Sequence, residues 1–134
     1  MEDLYKDLTE LKPKKVIVFL DACFSGGARN QQLYSARGVK LTPKNYGLMG
    51  NIVVFSASLG TENALTYDEK KHGFFTYFLL KKIKETKGDL TLEELQKYIE
   101  EKVPFETLRV KAQNQTPSIQ TSPELIEAYK KLKL

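Results

Sequence analysis

At 134 residues the chain has the size of one domain and can bury a real core. Its 41% hydrophobic and 28% charged content is that of an ordinary soluble globular protein, and its formal charge of +4 comes from lysines scattered along the chain rather than from an aromatic-interleaved basic stripe that would bind nucleic acid. No apolar run approaches a membrane span, MEDLYKDL lacks a signal-peptide core, and one cysteine with one histidine allows neither an internal disulfide nor a zinc cluster, so a cytoplasmic chain with a reduced thiol and no bound metal is expected.

Leu4, Leu8 and Leu11 recur at helical spacing, which predicts a helix over residues 2–12 ending before Pro13. Val16 to Leu20 are five apolar residues in a row, the pattern of a strand buried on both faces. The run stops at Asp21-Ala22-Cys23-Phe24-Ser25-Gly26-Gly27, so an acid and the chain's thiol fall at a strand's C-terminal end. In open parallel α/β sheets, chemistry collects at that edge because the loops leaving the strands surround a crevice there.

Residues 28–50 are polar, glycine-punctuated and aperiodic, and read as a long exposed loop. Asn51 to Ser58 returns to strand character and again ends in small polar residues, which predicts a second strand parallel to the first. Leu59 to Lys71 reads as another loop at the same edge, with a short extended piece at 64–67. From Gly73 the pattern turns helical over more than one face, with Gly88 as its stop. Thr91-Leu92-Glu93-Glu94 fits a capping box, followed by a stripe of Leu92, Leu95, Ile99 and Val103 that is expected to end before Pro104. Residues 105–114 give no clear assignment. Thr116 to Thr121 reads as one more strand, and Pro123 as the first position of a terminal helix carrying Leu125, Ile126, Tyr129 and Leu132. Strands alternating with helices predict one three-layer α/β domain over residues 1–134.

An apolar strand followed by D-A-C-F-S-G-G resembles the nucleophile segment of caspase-like cysteine peptidases, in particular the metacaspase and bacterial caspase-like branch (peptidase C14). NIVVFSAS at 51–58, HGFFTYFLL at 72–80 and Gln115-Thr116-Pro117 extend the resemblance over most of the chain. It implies a partial caspase-like fold, a mostly parallel sheet flanked by helices, and a thiol protease with Cys23 as nucleophile. The family's histidine lies about 50 residues before its cysteine, but only 22 residues precede Cys23. The resemblance therefore places the general base in a segment outside this chain. His72, 49 residues downstream, matches the start of the family's long helix instead.

The residue two before the cysteine lines the family's pocket for the side chain preceding the scissile bond. With Asp21 there, the resemblance implies cleavage after Arg or Lys, because a partly desolvated carboxylate pairs with a cation and rejects an acidic residue. It also implies that Ser56 and Ala57 form the neighbouring pocket wall and that residues 64–68 run beside the substrate. Arg29, Arg37, Lys40 and Lys44 in the 28–50 loop are candidate self-processing sites. No cofactor is implied, apart from the Ca²⁺ that some metacaspases require. Expected partners are a peptide or protein substrate and a complementary N-terminal caspase-like segment or a second copy.

Two other readings of these residues exist. A caspase-like fold can serve as an inactive interaction or scaffold module, with Cys23 a small buried hydrophobe. An Asp at a strand end can also accept a phosphoryl group, but that chemistry wants a second carboxylate for Mg²⁺ where Cys23 stands.

Overall fold

A computed structural model describes residues 2–22, 47–59 and 62–134. The described elements are helix α1 (Glu2–Glu10), strands β1 (Val16–Leu20), β2 (Ile52–Ser56), β3 (Thr66–Tyr67) and β4 (His72–Gly73), helices α2 (Phe74–Thr86) and α3 (Leu92–Lys111), and strand β5 (Ser118–Thr121). The sheet order is β1-β2-β5, with β1 parallel to β2 from Val16↔Ile52 to Leu20↔Ser56. β5 runs antiparallel to β2, so the sheet is mixed. β3 and β4 form a separate antiparallel hairpin.

Alternation along β2 builds a layer on each face. Val53 and Phe55 point to one side and join Phe74, Phe75, Phe78 and Leu79 of α2 and Leu92, Leu95, Ile99 and Val103 of α3. Ile52 and Val54 point to the other, where Tyr5 of α1, Leu48 and the partly buried Val16, Val18 and Leu20 cover them. The result is the three-layer arrangement expected of an apolar central strand. β1 departs from the expectation of full burial: all five of its residues are half-buried, and its outer edge pairs with no described strand.

In α1 the residue that enters the core is Tyr5, while Leu4, Leu8 and Leu11 of the predicted stripe stay exposed, Leu11 at 92%. The end of the predicted 28–50 loop is not wholly exposed either, since Leu48 is buried against Tyr5, Ile52 and Val54. The greater part of that loop, residues 28–46, lies outside the described residues.

The capping box of α3 forms as the sequence predicts. The Glu94 N–H donates to Thr91 Oγ1 at 3.2 Å, and the Thr91 N–H donates to Glu94 Oε2 at 2.7 Å. The Thr91 hydroxyl also donates to Glu94 Oε2 at 3.0 Å, and the bonds from the Thr91 backbone N–H and then its hydroxyl hold the Glu94 carboxyl below its ordinary pKa.

The predicted stop before Pro104 is a correction, because α3 continues through it to Lys111. Proline forfeits one helical hydrogen bond. Burial outweighs that loss: Val103 and Thr107, four residues apart on the core stripe, are both fully buried. The terminal helix is a second correction. Residues 123–134 form two short 3₁₀ turns, Pro123–Leu125 and Tyr129–Lys131. Local i→i−3 bonds close these turns, and the chain's last residues bond to the start of α3 and the residue two before it, with Leu92 N–H donating to the Leu132 carbonyl at 2.8 Å and Leu134 N–H to the Leu90 carbonyl at 3.2 Å.

Candidate active site

β1 and β2 end side by side. The Ala57 N–H donates to the Leu20 carbonyl at 2.8 Å, which extends the parallel ladder by one step and brings Asp21 and the Ser56-Ala57 pair to the same sheet edge. Asp21 then reaches across to helix α2. Its Oδ2 accepts from the Thr76 backbone N–H at 3.2 Å and from Thr76 Oγ1 at 2.5 Å.

The reason for this reach lies in the start of α2. Its N-cap is Gly73, which has no side chain to cap the helix, and its first turn contains no acid. The orphan N–H of the third residue and the positive end of the helix dipole therefore take a carboxylate from 55 positions earlier. The approach needs glycine. A Cβ at Gly73 would overlap Asp21 Oδ2, with Cγ at 3.0 Å and Oδ1 at 3.1 Å. Backbone strain is not the constraint, since Gly73 sits at φ −67°, ψ 152°, which any residue can adopt.

A test follows from that geometry. Gly73→Ala is expected to push the Asp21 carboxylate off the helix and remove about 1 kcal/mol of capping. Asp21→Ala in the same background should then cost almost nothing more. Urea unfolding of the two single variants and the double variant measures this, and fully additive losses would contradict the contact.

Ser56 is half-buried at the strand end, whereas the Ala57 side chain is buried in the core and offers the site only backbone. His72 is exposed on β4, one residue before the N-cap of α2, as expected of a helix-start residue. With Thr66, Tyr67, Asp68, Lys71 and Gly73 it lines an open depression of about 410 Å³. Gly73 borders both this depression and the Asp21 carboxylate. Asp68 is held ionised below its ordinary pKa, first by its bond from Lys111 Nζ at 2.5 Å and then by Thr66. Among the described residues no group of three or more His, Cys, Asp or Glu side chains is placed to share a metal ion.

Cys23 and the candidate processing residues Arg29, Arg37, Lys40 and Lys44 lie outside the described residues. Sequence reasoning missed Thr76, Gly73 as the cradle for Asp21, and the tertiary bonds of Gln115. The Thr76 contact has no local signal, but an uncapped helix start opposite an unassigned Asp could have raised it.

Residues 3–125 match the caspase domain of the peptidase C14 family. The chain belongs to the caspase-domain family. Comparisons with the curated proteins and with the solved structures return no match. Caspase domains are cysteine peptidase domains that act on protein substrates, and the α/β layers described above are consistent with part of such a fold. No described helix is long and apolar enough to cross a membrane.

Proposed function

We propose that this caspase domain is the nucleophile-bearing part of a metacaspase-type endopeptidase cleaving after Arg or Lys, with Cys23 as nucleophile and Asp21 as the selecting carboxylate. The observation that carries the reading is the Asp21 carboxylate fixed at the sheet's C-terminal edge two residues before the thiol. Its Oδ2 is committed to Thr76. A carboxylate has further lone pairs on Oδ1, and a substrate guanidinium or ammonium would take them. A backbone segment such as 64–68, beside the depression lined by Thr66 and Tyr67, can pair with an extended peptide.

In this reading the Cys23 thiolate attacks the carbonyl carbon of the Arg or Lys residue itself. The oxyanion of the tetrahedral intermediate needs hydrogen-bond donors beside it, and an imidazolium donates its proton to the leaving amine as the C–N bond breaks. Water then hydrolyses the thioester. The imidazole comes from a complementary N-terminal caspase-like segment, since a second copy of these residues would bring only another His72. The outer edge of β1, which pairs with no described strand, and the exposed Leu4 and Leu8 on α1 are surfaces such a partner would cover. A reduced, cytoplasmic setting suits the thiol.

The full gene product, incubated with a peptide mixture in the presence and absence of Ca²⁺, should yield fragments ending in Arg or Lys, and Cys23→Ala should yield none. Fragments ending elsewhere would overturn the Arg/Lys preference, and no cleavage under either condition would leave the domain as an interaction module. Self-processing gives a second readout. Intact mass should show wild type cut after Arg29, Arg37, Lys40 or Lys44 and Cys23→Ala uncut; the same uncut species in both would exclude it.

A further inference from the structure

The geometry points to Gln115 as a positioning residue that sets Ala57 and Leu65, at the two ends of the β2–β3 connection, and, through Leu65, the helix start that holds Asp21. Gln115 is fully buried, and its amide makes two bonds to backbone far away in sequence. Oε1 accepts from the Leu65 N–H at 2.9 Å, and Nε2 donates to the Ala57 carbonyl at 2.9 Å. One donor and one acceptor are required at once, which fixes the amide's orientation and suits no apolar residue of that size.

The neighbouring residue grips the same segment. The Glu62 carboxylate accepts from the Thr116 N–H at 2.5 Å and from Thr116 Oγ1 at 3.0 Å, and Ser58 Oγ donates to the Glu62 carbonyl at 3.2 Å. Ala57, Glu62 and Leu65 are thus all held by residues 115–116. None of these bonds belongs to the sheet, whose β2–β5 ladder begins only at Ser118.

From Leu65 the connection continues towards Asp21. The Leu65 carbonyl accepts from the Phe74 N–H at 3.1 Å at the first residue of α2, and two residues later Thr76 binds the Asp21 carboxylate. A continuous set of hydrogen bonds and one rigid helix start therefore joins Gln115 to the carboxylate proposed to select Arg or Lys. Removing the amide leaves the Leu65 N–H and the Ala57 carbonyl without partners, so the segment must move to rehydrate them.

This inference rests on the peptidase reading for its functional consequence, though the clamp itself does not. The test compares a blocked tripeptide ending in Arg with a blocked single Arg, both as fluorogenic substrates of the full gene product. Gln115→Met should lower the tripeptide-to-single-residue ratio of kcat/KM by roughly tenfold or more, from the loss of two buried hydrogen bonds. Gln115→Glu supplies a pH signature. Protonated, its O–H donates to Ala57 and its carbonyl accepts from Leu65, as glutamine does; ionised, it faces the Ala57 carbonyl without a donor. Burial raises the pKa of such a carboxyl. The ratio should therefore be near wild type at pH 5 and fall by pH 8, while the wild-type ratio changes little over that range.

Parallel loss on both substrates in proportion to unfolded protein, or an unchanged ratio in folded Gln115→Met, would overturn the positioning role. Hydrogen exchange at the Leu65 amide separates the two levels. If wild type cleaves nothing, the peptidase reading fails, while loss of Leu65 protection in Gln115→Glu at pH 8 but not at pH 5 still supports the clamp, and unchanged protection overturns it.

Discussion

Replacing Phe74 with alanine is expected to destabilise the domain by about 3–5 kcal/mol, a large share of the roughly 5–15 kcal/mol that holds a typical domain together. Phe74 is fully buried, and its ring stacks on Tyr67 with centroids 4.3 Å apart and planes 11° from parallel. It joins the β3–β4 hairpin to the core at the point where α2 begins, so a cavity there loosens the hairpin as well as the helix start. Phe105, 64% exposed on α3, is the control: its alanine variant should lie within about 0.5 kcal/mol of wild type. Urea unfolding followed by far-ultraviolet circular dichroism measures both. Similar losses at the two positions would contradict the assignment of the core.

Asp21→Asn is expected to lower kcat/KM on Arg or Lys substrates by about ten- to a hundredfold while leaving stability close to wild type. The amide oxygen can still accept from the Thr76 N–H and hydroxyl, so the start of α2 keeps its partner. What disappears is the charge that pairs with the substrate cation, whose charge-assisted hydrogen bond contributes about 1.5–3 kcal/mol once the peptide covers the site. Thr76→Val separates orientation from charge. It removes the hydroxyl bond but keeps the carboxylate, and should give a smaller loss in the same assay. Equal activity of wild type and Asp21→Asn on Arg substrates would show that another group selects the cation.

The parts of this fold that were legible in the sequence are those written in local patterns. The apolar runs at 16–20 and 52–55 became strands, and Thr91 with Glu94 announced a helix start that the structure reproduces bond for bond. The misread elements are those decided by distant contacts. Pro104 should end a helix by local rules, yet the buried Val103 and Thr107 carry α3 past it. The apolar residues after Pro123 resemble a helix, yet their local bonds close only 3₁₀ turns, and Leu132 and Leu134 bond instead to Leu92 and Leu90. α1 was placed correctly but its facing was not, because Tyr5 enters the core in place of the leucines around it.

The candidate site divides in the same way. Asp21 stood out because an apolar strand ended on it, and Gln115-Thr116-Pro117 stood out as a motif without an assigned task. Their partners did not. Thr76 lies 55 positions from Asp21, and Ala57 lies 58 from Gln115, so neither pairing leaves a trace in local spacing.

The most direct measurement is the rate at which Cys23 is labelled by an electrophilic tripeptide ending in Arg, compared with the same peptide ending in Asp, on the full gene product and on its Asp21→Asn variant. Rapid labelling by the Arg probe alone, slowed in Asp21→Asn, is the expected result. Labelling that ignores the probe's side chain or favours Asp, or no labelling of a Cys23 that still alkylates readily in denaturant, would contradict an Arg/Lys-selecting nucleophile site.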